Sequence, residues 1–221
     1  GYVADLAKSP EARKAGTEYD QALALLDAPQ SRAAFDLEQE PAALRNRYGR
    51  NQSGQALLLA RRLAEAGLPL VTVFWSPSSR GQDQRPDETD AYGWDTHNDI
   101  FSSLKQHLLP RFDQGFSALV EDLDQRGMLE DTLVVCFGEF GRAPLVALEP
   151  KFAGSTPGRK HWANVYSQVF LGAGVGRGKV VGASDRFGGR PDGRRYGPWD
   201  TIATIYSSLG IDPSGHYRDL L

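Results

Sequence analysis

The sequence predicts an α/β fold, a mostly parallel central sheet flanked by helices. Two observations lead there. Amphipathic helical segments alternate with short β-branched runs, and those runs are apolar on both faces, as strands covered on each side by helices must be. A third observation excludes the main competitor: with 24 Gly and 13 Pro in 221 residues, the chain is too heavily punctuated for a helical bundle.

Residues 1–50 read as a helical lead-in, with Tyr19, Ala22, Leu23, Leu25 and Leu26 forming an approximate stripe that Pro29 ends. A helix is expected over 53–66, closed by Gly67 in a left-handed cap. The first strand follows over 70–75 (Leu-Val-Thr-Val-Phe-Trp) and runs into a polar loop over 76–92. Phe101, Leu104, Leu108, Phe112, Phe116, Leu119 and Leu123 recur every three or four residues, so the longest helix is expected there, kinked at Pro110 and stopped by Gly127. Further strands are expected over 133–137, 165–171 and 179–182, and a closing helix over 199–209 with Gly210 as its cap. Residues 51–221 would thus hold the sheet core and the site loops.

Composition narrows the functional classes. The single cysteine, Cys136, rules out an internal disulfide framework and cysteine-rich zinc modules. A formal net charge of -3 argues against general nucleic-acid binding, and no apolar run approaches the roughly 18–20 residues of a membrane span. Ala173-Gly-Val-Gly-Arg-Gly-Lys179 imitates a phosphate-binding loop, but Val180 stands where Ser or Thr must meet magnesium. The Gly- and Arg-rich stretch over 176–198 has few aromatics to stack bases and reads as a surface loop.

Three short motifs carry the chemistry. In Trp94-Asp-Thr-His97, a carboxylate and an imidazole two residues apart can face one ion, combining hard and borderline ligands; alternatively Asp95 caps the long helix and His97 lies in its first turn. In Gly138-Glu-Phe-Gly-Arg142, Glu139 follows a strand on a glycine-flanked turn as a metal ligand or general base, with Arg142 able to hold an oxyanion; the plainer reading is a Glu139–Arg142 ion pair. In Gly158-Arg-Lys-His-Trp162, a loop histidine, His161, sits among cations that favour a neutral, metal-binding imidazole; the plainer reading is an exposed loop histidine. His107 and His216 read as structural or solvent-facing.

Together with Tyr48-Gly-Arg-Asn51, the run Leu58 to Gly67 and Thr204-Ile-Tyr206, these motifs occur in an order that resembles the bacterial domain-of-unknown-function 1501 family, described as sulfatase-like and placed with the alkaline-phosphatase superfamily. The resemblance implies a doubly wound domain with metal ligands at the carboxyl edge of the sheet. It also implies hydrolysis of sulfate or phosphate esters, on anionic small-molecule or glycan substrates. Asp95, His97, Glu139 and His161 would bind a divalent metal (zinc, calcium, magnesium or manganese), and Arg142 with Lys160 would hold the anionic group. One departure stands out, since Glu139-Phe140 occupies the place of an Asp-His pair. The superfamily's nucleophile and first metal carboxylate lie upstream of the matched motifs, so the chain is expected to be the C-terminal portion of such a domain, incomplete at its N-terminus and associating with an upstream segment. Export to the periplasm follows from the same resemblance. The alternative is a non-catalytic binding or scaffold module.

Overall fold

In the computed structural model, which describes residue 20 and residues 28–75 and 93–215, the chain divides into two compact units, Gly1–Val73 and Phe74–Leu221. The lead-in stripe over 16–28, the polar loop over 76–92 and His216 lie outside the described residues, apart from positions 20 and 28.

In the first unit, α1 (Pro29–Ala34) starts on a proline, whose missing amide hydrogen costs no bond in a first turn. A 3-10 turn (Leu37–Gln39) and α2 (Ala42–Tyr48) follow. The helix expected over 53–66 is α3 (Gln52–Glu65), capped by Asn51, whose side-chain oxygen accepts the Gly54 N–H at 2.8 Å. At its far end Gly67 adopts φ 92°, its N–H bonds the Ala64 carbonyl, and the Leu68 N–H reaches back to that of Leu63. That paired closure is the Schellman arrangement, which needs a left-handed residue where Gly67 stands. Tyr48, Leu57 and Leu58 are buried here, and α2 and α3 approach so closely that a Cβ on Gly54 would lie 2.2 Å from the Tyr48 carbonyl oxygen.

Charge is buried beside this apolar cluster. Arg61 is 1% exposed and donates to Glu40 at 2.6 Å while also pairing with Glu65. Arg62 reaches Glu40 at 2.5 Å and the Ala33 and Ala34 carbonyls at 2.7 and 2.8 Å, which fastens α3 to α1. Burial works against ionisation of Glu40, but the hydrogen bonds and charges of Arg61 and Arg62 outweigh it and hold the carboxyl below its ordinary 4.5.

In the second unit a nearly continuous helix runs through α4 (Ile100–Ser103), a π-helical turn (Leu104–Leu108) and α5 (Leu109–Gln125). The expected disturbance at Pro110 takes the form of that wider turn, closed by the Leu109 N–H to the Leu104 carbonyl. Proline has no amide hydrogen to give the carbonyl four residues back, and its ring crowds that oxygen; widening the preceding turn accommodates both. The buried positions record the change of phase: Ile100 and Ser103 are followed by Leu108, five residues on, before α-helical spacing resumes through Gly115, Leu119 and Leu123. Phe101, assigned to the apolar stripe by strict α periodicity, is therefore exposed. Gly127, at φ 69°, ends the helix as expected.

The predicted mostly parallel central sheet is not what forms. Among the described residues the strands make three two-stranded antiparallel pairs: β1 (Val134–Cys136) with β4 (Val169–Leu171), β2 (Gly141–Arg142) with β3 (His161–Trp162), and β5 (Ala183–Ser184) with β6 (Pro191–Asp192). The run over 70–75 joins no ladder among the described residues, with Leu70 and Phe74 exposed. Likewise 179–182 forms no strand, and Val180 is 92% exposed. Apolar β-branched runs report a local preference for extended backbone, whereas a sheet also requires a neighbour to take the ladder bonds. The doubly wound topology implied by the resemblance falls with the sheet. The last helix, α6 (Pro198–Ser208), forms where expected and closes on Gly210, φ 73°. No helix of the described residues is long and apolar enough to cross a membrane.

Glu40→Gln takes away the carboxylate charge that Arg61 and Arg62 share, while Glu65 still pairs with Arg61. It should therefore lower the unfolding free energy of the first unit by about 1–3 kcal/mol, read by chemical denaturation. Because the folded-state pKa of Glu40 is depressed, its contribution is present above the ordinary 4.5 and fades as pH falls through the lower folded value, a dependence the variant should lack.

Candidate metal centre

Residues 93–99 form an irregular turn ahead of α4, and a loop some fifty residues later holds that turn in place. The Asn98 side chain satisfies three backbone groups of this loop: its Nδ2 donates to the carbonyls of Glu149 and Phe152 at 2.9 and 3.0 Å, and its Oδ1 accepts the Glu149 N–H at 2.9 Å. Asp99, in the left-handed region at φ 54°, accepts from the Ser155 and Thr156 N–H groups and from the Thr156 hydroxyl. Those bonds, led by the hydroxyl, hold its carboxyl below its ordinary value against the opposing effect of burial.

Two glycines let the main chains meet. A Cβ on Gly154 would lie 2.6 Å from both the Asn98 Cβ and an Asp99 carboxylate oxygen, and one on Gly158 would lie 1.5 Å from the His97 carbonyl oxygen. That same carbonyl accepts the Arg159 N–H at 3.1 Å. His97 is thereby buried, its ring stacked on Phe152 at 3.8 Å and 9°.

The remaining side chains arrive on β2 and β3, where Arg142 stands opposite His161 and Gly141 opposite Trp162. Residues directly opposite in an antiparallel pair project from one face, so the guanidinium and the imidazole reach the same place. Gly141 permits the pairing, since a Cβ there would lie 2.0 Å from the Val165 carbonyl oxygen. The Trp162 indole N–H, bonded to the Gly189 carbonyl at 2.9 Å, anchors the other strand.

These elements converge on Asp95. Its Oδ1 lies 2.8 Å from His161 Nε2, 3.3 Å from Arg142 Nη2 and 3.6 Å from His97 Nδ1. The two imidazole rings are 4.7 Å apart, and Phe140 packs 4.5 Å from that of His161. Burial opposes a charge on Asp95, but the His161 hydrogen bond and the fields of His97, His161 and Arg142 prevail and keep it ionised below its ordinary 3.8. Burial pushes His97 below its ordinary 6.5; Arg142 and His161 add to this against the pull of Asp95, so the ring is neutral with a lone pair to offer.

The donor set suits a metal ion. Asp95, His97 and His161 each present one ligand atom within 4.8 Å of the others. Tetrahedral coordination at about 2.1 Å would place donors about 3.4 Å apart, so small side-chain rotations reach it from the contacts above. A carboxylate with two imidazoles accepts zinc or manganese more readily than calcium, which takes oxygen ligands.

Glu139 is exposed on the bend before β2 and is not one of this triad. Lys160 stands just before β3, and its ammonium is largely exposed and pairs with Glu149 at 3.0 Å. Arg142 pairs with Asp95 and the Trp94 carbonyl, and no Glu139–Arg142 ion pair is seen. Asp95 does not cap the helix: α4 starts at Ile100, leaving Asp95 and His97 in the turn before it. His161, expected in a loop, is on β3. Sequence reasoning missed Asn98, Asp99 and Phe152, which secure the turn; the Asn-Asp pair after His97 and the Gly-Ser-Thr at 154–156 were the available signals.

Adding one methyl at position 158 must displace the His97 main chain. Gly158→Ala should lower the melting temperature and weaken zinc binding, measured by differential scanning calorimetry and by titration calorimetry, with a stability loss of about 1–3 kcal/mol. Zinc affinity should hold as pH falls to the ordinary imidazole value of 6.5 and drop only below it, through the lower value of His97, where protons compete for that ring; an affinity unchanged on acidification until the protein unfolds would contradict that ring's part in the site.

No curated protein and no solved structure matches the chain. A family model spans residues 3–219, and the chain belongs to that family, the proteins of unknown function DUF1501.

Proposed function

We propose that the chain is a divalent-metal-dependent hydrolase module acting on sulfate or phosphate esters, with Asp95, His97 and His161 as the ion's protein ligands. One observation carries this reading: donors as far as 66 positions apart in sequence meet at Asp95 with a guanidinium beside them. A divalent ion held there supplies Lewis acidity toward an ester oxygen.

The chain's own groups have separable tasks. Asp95 stays ionised and His97 stays neutral, the protonation states that ligation requires. Arg142 is the group for the anionic half of a substrate, because its planar donors match the oxygens of a tetrahedral oxyanion. Its Nη1 and the Trp94 indole nitrogen are both buried without an acceptor among the described residues, and an unmatched buried donor costs about 1–3 kcal/mol. An anionic oxygen is the kind of acceptor that would satisfy them. Glu139 and Lys160 are rim groups in this scheme, the latter released for an anion only if it leaves Glu149.

Protein purified without chelators and loaded with zinc or manganese should hold about one ion per chain by mass spectrometry, with Asp95→Ala and His161→Ala binding at least about 100-fold more weakly. With 4-nitrophenyl sulfate and 4-nitrophenyl phosphate, Arg142→Lys should lower kcat/KM by about 10²-fold while retaining the ion. Equal ion content in wild type and both ligand variants would overturn the metal assignment. Ion binding without turnover of either ester would leave a metal-binding module and remove the hydrolase reading.

A further inference from the structure

The strands that carry Arg142 and His161 separate just beyond the site. Pairing continues through the Ala143 N–H to the Lys160 carbonyl at 2.8 Å and resumes where Ala147 and Gly158 exchange two bonds of 3.0 Å. Between these points one side of the ladder has residues 144–146, and the other has Arg159 alone. The longer side must arch away from its partner. Under the arch lies a cavity of about 220 Å³, lined by Ala143, Leu145, Ala147, Gly158 and Trp162, with His161 at its boundary.

Size and lining together select what fits. A cavity of about 150 Å³ lined by aliphatic and aromatic side chains accommodates benzene, so this one accepts a single ring with a small substituent. Its side-chain charges, Lys160 and Glu149, pair with each other at 3.0 Å. Aliphatic carbon and an indole already tethered to Gly189 make up much of the remaining lining, with few partners for the hydroxyls of a sugar.

We infer that this cavity is the subsite for the aromatic half of the ester whose anionic half meets Arg142 and the Asp95–His97–His161 triad, making the preferred substrate a single-ring aryl ester rather than a glycan ester. The inference rests on the function proposed above, and His161 joins the two halves because it belongs to the triad and borders the cavity.

Phenol, which carries no anionic group, probes the subsite alone. In titrations followed by amide chemical shifts, phenol should perturb the stretches 143–147 and 158–162 in wild type and equally in Asp95→Ala, where the metal ligand is gone but the cavity remains. Leu145→Asp at an exposed position, and independently Ala147→Leu, which adds bulk to the cavity lining, should each weaken phenol binding about tenfold. Methyl α-glucoside at the same concentrations should cause no such shifts. The subsite is overturned by an absence of phenol shifts in these stretches, by unaltered binding in both folded cavity variants, or by glucoside binding as tight as phenol. Zinc binding measured on the wild type separates the two ideas: zinc bound with no phenol shifts sinks the subsite alone, whereas phenol shifts with no zinc bound sink the proposed metal function and leave an aromatic site.

Discussion

The contact of the Gly158 main chain with the His97 carbonyl is the constraint on which the site depends. It brings a turn that precedes the long helix against a loop some sixty residues later, at a distance only a residue without a Cβ allows. Asn98 and Asp99 then bond the backbone of that loop, and Phe152 covers the His97 ring. With the turn seated in this way, Asp95 meets whatever β3 carries, and β3 carries His161. A short antiparallel pair and a glycine contact do here what the edge of a broad parallel sheet would do in a doubly wound domain.

Electrostatics follows from that seating. Asp95 gathers a guanidinium and two imidazoles around one carboxylate, which lowers its own pKa, while burial and the nearby cations keep His97 neutral. The protonation states suited to binding a metal thus arise before any metal is present, so less proton release opposes ligation. Arg142 is linked to both ends of the arrangement: it steadies Asp95 and the Trp94 carbonyl through one nitrogen and keeps another in reserve, buried and unmatched. The first unit uses a related device for a different end, since Glu40 between Arg61 and Arg62 ties α3 to α1 with no titratable cluster of the metal-binding kind among its described residues.

Local signals in the chain were accurate where the physics is local. Gly67, Gly127 and Gly210 end helices because each supplies a left-handed residue that the closing hydrogen bonds demand. Pro110 marked a defect in the long helix, though not its form, and the π turn moved Phe101 off the buried stripe that strict periodicity assigned to it. Asp95, His97, Arg142 and His161 were recognisable as chemistry-bearing residues because carboxylates, imidazoles and guanidinium groups sit beside glycines in short motifs. Glu139 shares those features and stands outside the triad, so the motif identified the neighbourhood and not the ligands.

What the amino-acid order decided alone was therefore the helix ends, the position of the helical defect and the residue types available for a metal site. Strand pairing belonged to the tertiary structure. Val134–Cys136 and Val169–Leu171 pair antiparallel in a two-stranded ladder, and the equally apolar run over 70–75 finds no ladder among the described residues, because β propensity carries no information about the partner. The site's membership was settled in the same way: Asp95 and His161 are 66 residues apart, and their 2.8 Å contact exists only because Gly158 lets two backbones touch and the β2–β3 register sets Arg142 opposite His161.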